Sequence, residues 1–102
     1  DNGTAIMAGA VINSSTSIGK GCIVNTGVTI DHDNLIEDYV HISPGAHLAG
    51  TVKVGEGSWL GTGSVISNNI NITNECTIGA GGVVVRDITK IGTYVGVPVR
   101  RL

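Results

Sequence analysis

Residues Ile36–Ile66 read IEDYVHISPGAHLAGTVKVGEGSWLGTGSVI, and every sixth one, Ile36, Ile42, Leu48, Val54, Leu60 and Ile66, is a branched aliphatic. The period continues without insertion or deletion through Ile6, Ile12, Ile18, Val24 and Ile30 upstream and Ile72, Ile78 and Val84 downstream, fourteen positions in all. Six is neither the two-residue alternation of a strand nor the stripe of a helix, so the pattern marks an internal repeat. A second column runs four residues behind the first and is mostly small: Ala10, Thr16, Cys22, Val28, Asn34, Val40, Ala46, Val52, Ser58, Ser64, Ile70, Cys76, Gly82 and Ile88. A large and a smaller residue two apart across each junction are the inward positions of a short strand. Each hexad is then one strand plus a corner, three hexads close a coil of about eighteen residues, and coils stack at about 4.8 Å. The expected fold is all-β, a parallel β-helix with three strands per coil.

Composition agrees with a narrow interior cut into equal slices. Hydrophobic residues make up 41% of the 102, yet there is no Phe, one Trp and two Tyr. Sixteen glycines beside two prolines indicate many tight bends, and the aliphatic content is too high for disorder. The length suits one domain. A formal net charge of −2 with no basic run argues against nucleic acid or anionic membrane as partner. No stretch is long and apolar enough for a membrane span, and Asp1–Thr4 is not a signal peptide, so a cytoplasmic location is expected.

The register also assigns the cysteines. Cys22 and Cys76 occupy small inward positions 54 residues apart, three coils along one column. That separation, roughly three strand spacings or about 14 Å, exceeds disulfide reach. Both read as buried packing thiols rather than nucleophiles, which need an exposed electropositive setting.

The strict repeat ends at Val84, and Arg86–Leu102 breaks phase. Residues 1–88 are expected to form the solenoid and 89–102 a capping segment over its open edge. No equivalent cap precedes Ile6, which suggests a fragment whose upstream neighbour covers that end.

Outward columns repeat every eighteen residues and hold all three histidines. His32 lies at a corner, in Ile30-Asp31-His32-Asp33-Asn34, with Ser14, Gly50 and Asn68 in its column. A histidine between two carboxylates suits a general base near neutral pH, and a glycine on the next coil lets a ligand approach the backbone; a solvated surface histidine is the alternative. His41 shares an outward column with Ile23, Trp59 and Thr77, so the only tryptophan should lie over it, at a subunit interface or ligand groove. His47 belongs to the column Val11, Thr29, His47, Val65, Val83, which reads as a packing face between subunits.

These residues resemble a known family. Asn25-Thr26-Gly27, Asp31-His32-Asp33, His41-Ile42-Ser43-Pro44-Gly45-Ala46, Leu48-Ala49-Gly50 and Gly96-Val97-Pro98 are similar to the sialic acid O-acetyltransferases and UDP-4-amino-sugar N-acetyltransferases of the hexapeptide-repeat acyltransferases, collinear from Ile6 to Leu102. The resemblance implies a left-handed β-helix and acetyl-CoA as acetyl donor, with no metal required. It implies His32 as general base and Asp33, where glutamate is common, as the acid that raises its proton affinity. His41 would contact the acetyl group, and the backbones of Thr62 and Ala80, eighteen residues apart on one corner, would bind the pantetheine arm. Asn25 falls to the acceptor side. A homotrimer with sites between subunits is implied, as is an upstream nucleotide-sugar-binding domain absent from this chain.

The mechanism implied is direct transfer: His32 takes a proton from an acceptor amine or hydroxyl of a UDP-amino sugar or sialic acid, and coenzyme A leaves as thiolate. The Gly50 N–H is the candidate donor to the oxyanion. Two rival classes remain at this stage. A γ-type carbonic anhydrase would bind zinc through three histidines, which here are nine and six residues apart. A non-catalytic trimerising solenoid would keep the fold alone, while an ice-binding surface would need a threonine ladder that no column supplies.

Overall fold

The computed structural model describes residues 3–102; Asp1 and Asn2, part of the stretch read as lacking a signal peptide, lie outside it. The hexads become fourteen two-residue strands that wind a left-handed, three-sided parallel β-helix. Face A holds β1 (Ala5–Ile6), β4 (Ile23–Val24), β7 (His41–Ile42), β10 (Trp59–Leu60) and β13 (Thr77–Ile78). Face B holds β2 (Val11–Ile12), β5 (Thr29–Ile30), β8 (His47–Leu48), β11 (Val65–Ile66) and β14 (Val83–Val84). Face C holds β3 (Ser17–Ile18), β6 (Leu35–Ile36), β9 (Lys53–Val54) and β12 (Asn71–Ile72). All pairings among these strands are parallel, with registers such as Ile23↔His41 and His41↔Trp59 that give an eighteen-residue coil. No helix among the described residues is long and apolar enough to cross a membrane.

The first residue of each strand faces out and the second faces in. From Val24 to Val84 every hexad anchor is at most 2% exposed, and the second inward column is buried beside it, Asn34, Ser58 and Ser64 included. Slices this uniform bury aliphatic surface at about 25 cal/mol per Å² without any large ring. Cys22 and Cys76 are free and buried. Their thiols approach backbone carbonyls, Cys22 Sγ lying 3.0 Å from the Glu37 oxygen, and burial pushes both thiols above their ordinary pKa. They are packing groups.

The corners share one backbone solution. From Ile6 to Ile78 the third residue after each anchor has left-handed φ: Gly9, Gly21, Gly27, Gly45, Gly57, Gly63 and Gly81, but also Ser15, Asp33, Tyr39, Thr51, Asn69 and Glu75. Each non-glycine residue there carries a strain of roughly 1–2 kcal/mol. Glycine is therefore favoured at these positions without being required.

The C-terminal coil departs from the sequence reading. Ile88, read as the small inward partner following Val84, instead bridges Ile72 in parallel, sixteen residues on. Strand β15 (Thr93–Gly96) then pairs with β13 through Thr77↔Thr93 and Ile78↔Tyr94, again sixteen apart. The phase shifts by two residues and the winding continues, with Tyr94 taking the anchor's place. Strand β16 (Val99–Arg101) turns back antiparallel on β15 and ends the parallel stacking.

Candidate active site

His32 stands on the corner between faces B and C, and the chain builds that corner from several directions. Asp31 does not reach the imidazole; its Oδ1 accepts the His32 backbone N–H at 2.9 Å and the Asn13 amide at 3.3 Å. The Asp31 carbonyl accepts from Thr16 Oγ1 at 2.9 Å and from Asn34 Nδ2 at 3.1 Å, while Asn34 Oδ1 accepts the Val52 N–H at 2.6 Å. Asn34 is 2% exposed, so this polar tie runs inside the solenoid beneath the histidine. Composition reading missed it. The available signal was an amide among Cys, Val and Ala in the inward column, one that a native interior holds only if hydrogen-bonded.

The ring itself pairs with Asp33. His32 Nδ1 lies 3.1 Å from Asp33 Oδ2, both side chains more than half exposed. Asp33 thus reaches the ring although it is a methylene shorter than glutamate, and it does so from a left-handed φ of 59°. A proton held between Nδ1 and the carboxylate leaves Nε2 with its lone pair outward, the arrangement a general base needs.

Gly50 lies one coil on from His32 in the same column. A methyl on Gly50 would stand 2.7 Å from His32 Cε1 and 2.8 Å from Nε2, so the imidazole fills the space that glycine leaves. The notion that Gly50 opens its backbone to a ligand is thereby modified: its side-chain direction is taken by the imidazole. Gly50 is buried, and among the described residues its N–H has no backbone or side-chain acceptor, whereas its carbonyl accepts from Asn69.

Face A carries His41 and Trp59 as a stacked pair, ring centroids 4.0 Å apart and planes 19° from parallel. Burial lowers the His41 pKa from its ordinary value. Face B carries His47, whose Nδ1 is 2.6 Å from Thr29 Oγ1, between the partly exposed Val11 and Val65. The three histidines therefore occupy a corner and two different faces. His32 is on the corner opposite face A, across a body measuring 32 × 21 × 20 Å, and one chain does not bring it to His41.

Thr62 and Ala80 sit on the corner between faces A and B, exposed and on successive coils. Their carbonyl side is tied by Gly81 N–H to Thr62 O at 2.8 Å, but neither the Thr62 nor the Ala80 N–H has an acceptor among the described residues. Asn25 begins the same corner two coils earlier, where its Oδ1 accepts the Thr26 N–H at 2.8 Å. Thr62 and Ala80 thus carry bare amides on successive coils of this edge. They offer two donors along the helix axis to an extended ligand rich in carbonyls.

No family model matches the chain. It is 31% identical over 105 residues to a serine acetyltransferase of Synechococcus elongatus, an alignment covering 93% of this chain and 43% of that protein. The acetyltransferase domain of PglB from Neisseria gonorrhoeae, solved with acetyl coenzyme A, superposes with a TM-score of 0.80 at 36% identity, over 97% of this chain and 54% of that one. PerB from Caulobacter crescentus, solved with CoA and GDP-perosamine, gives 0.77 at 33% identity, over 97% and 56%. The chain spans about half the length of these relatives. With an unbroken hexad register, the same β-helix and sequence identity above 30% across nearly all of its residues, the chain belongs to the hexapeptide-repeat acyltransferases.

Proposed function

We propose that this chain is the acetyl-transfer part of an enzyme that moves an acetyl group from acetyl-CoA to an amine or hydroxyl of a sugar or nucleotide sugar. The observation that carries the reading is the His32–Asp33 pair, 3.1 Å apart, with the imidazole seated over Gly50 where that residue lacks a side chain. The likeness to chains solved with acetyl-CoA, and with CoA and GDP-perosamine, supports this choice of donor and acceptor class.

In this mechanism His32 Nε2 removes the proton from the acceptor nucleophile as it attacks the thioester carbonyl. Asp33 holds the ring and stabilises the imidazolium. The carbonyl oxygen, gaining charge, takes the Gly50 N–H, and coenzyme A departs as thiolate. His41 contacts the acetyl group, the Thr62 and Ala80 amides hold the pantetheine arm, and Asn25 serves the acceptor side. Because His32 and His41 stand on opposite sides of one solenoid, a site using both needs the B–C corner of one subunit beside face A of another. A homotrimer meets that condition, with the Val11–Val65 face as a packing surface.

The experiment is steady-state release of coenzyme A thiol by the full-length protein, with amino-sugar nucleotides, sialic acid and serine as competing acceptors. A sugar preferred over serine by an order of magnitude or more in kcat/KM supports the proposal. No thiol release with any sugar, or a preference for serine, overturns it.

A further inference from the structure

Trp59 makes a contact for which the acetyl-transfer chemistry has no stated use. Its indole starts from β10, one coil after His41, and leans back over the His41 ring. The Nε1–H then donates to Ser43 Oγ at 3.1 Å. Ser43 is two residues past His41 on the same coil and is 5% exposed, so the acceptor is a buried hydroxyl held in the wall of the solenoid. The indole is half exposed, which is costly for a surface tryptophan unless its position is fixed.

We infer that Trp59 and Ser43 are positioning residues that clamp the His41 imidazole flat against face A and so fix the direction of its nitrogens. The inference rests on the reading that His41 meets the acetyl group. Stacking restrains the ring plane; the Nε1–Oγ bond restrains the indole; neither residue needs to touch substrate. The strands beside β7 present only Ile23 and Trp59 outward at this position, so no ionisable group on face A competes for the ring. Burial beneath the indole also accounts for the lowered His41 pKa. A clamped imidazole that stays neutral near pH 7 offers one N–H as donor and keeps no charge to be desolvated when the thioester arrives.

Trp59 is the only tryptophan, so its fluorescence reads the clamp directly. An imidazolium stacked on an indole quenches it more strongly than neutral imidazole does. In this 102-residue chain titrated downward from neutral pH, quenching should have its midpoint below the ordinary value of 6.5, and His41→Gln should remove the transition. Ser43→Ala should move the midpoint back toward 6.5 and raise KM for acetyl-CoA roughly two- to tenfold, the worth of one hydrogen bond; Ser43→Thr should restore both. Trp59→Phe keeps a stacked ring but loses the N–H, and the His41 Cε1 proton resonance should show the same upward move. Unchanged midpoints and KM in Ser43→Ala and Trp59→Phe would overturn the clamp. If the wild type transferred no acetyl group while the midpoints moved as described, the clamp would stand and the functional reading would fall.

Discussion

The corner between faces A and B and the corner between faces C and A follow the same backbone path and end with opposite surfaces. On the A–B corner every left-handed position is glycine, Gly9, Gly27, Gly45, Gly63 and Gly81, with open space where a Cβ would stand at Gly27, Gly63 and Gly81. On the C–A corner the series is Gly21, Tyr39, Gly57, Glu75; the Tyr39 ring covers Gly21 and the Glu75 carboxylate covers Gly57. There Asp38 Oδ1 accepts the Lys20 N–H at 2.9 Å and Asn74 Oδ1 accepts the Glu56 N–H at 3.0 Å. On the C–A edge side chains of the next coil satisfy the Lys20 and Glu56 amides, whereas among the described residues no side chain reaches the Thr62 or Ala80 amide on the A–B edge. Exposed N–H groups cost little in water but become directional donors when a ligand excludes it.

Predictions that test this contrast begin with what both edges share. Ile42→Asp places a carboxylate in a fully buried slot with no partner and should cost more than about 4 kcal/mol, so that circular dichroism shows no folded β signal. Lys53→Ala on outward face C should leave the urea midpoint nearly unchanged. Equal harm from the two would break the inward–outward assignment under every corner.

The third corner sets the catalytic scale. His32→Ala in the full-length protein should lower acetyl transfer by about 10²–10⁴-fold with acetyl-CoA affinity almost untouched. Asp33→Asn should fall between, because the amide can no longer hold the ring through a charge-assisted bond to Nδ1. Wild-type turnover in His32→Ala would remove the base from this corner.

The two edges are compared most directly by exchange. Gly63→Glu fills the bare A–B edge and should raise KM for acetyl-CoA by about tenfold or more, from the side chain in the ligand's path, while roughly 1–2 kcal/mol of left-handed strain lowers its stability. Glu75→Gly on the C–A edge should leave that KM alone. Equal effects would mean that bareness of the edge has no bearing on the donor. Asp38→Ala removes one exposed amide cap and should reduce stability by about 0.5–1.5 kcal/mol in urea, again with unchanged KM.

The smallest effect concerns pH. The folded pKa of His41 is lowered, so between 6.5 and that lower value the unfolded chain binds more protons than the folded one. Stability is complete above 6.5 and should fall as pH drops through that window. The difference in urea stability between wild type and His41→Gln should follow that slope; a pH-independent difference would show that His41 titrates alike in both states.

The solenoid was legible because its period is covalent: one anchor every six residues needs no tertiary information to be counted. The same counting placed Trp59 over His41 and put His32 at a corner. It lost the thread after Val84, where Ile88 and Tyr94 resume the winding two residues early. A column read by fixed spacing cannot register a shortened corner, since Ile88 is aliphatic and inward under either phase.

What the sequence determined by itself is therefore the architecture, the inward and outward sides, the fate of the cysteines and the corner that carries a histidine beside two acids. Only the tertiary structure decided which acid meets the ring. Asp31 and Asp33 are equivalent in composition and spacing, but Asp31 is consumed by the His32 and Asn13 donors while the left-handed Asp33 swings to Nδ1. It decided too that the imidazole rests where Gly50 lacks a side chain and that Ser43 anchors the indole. These depend on side-chain direction across stacked coils, at ångström scale, and residue spacing carries register but not that direction.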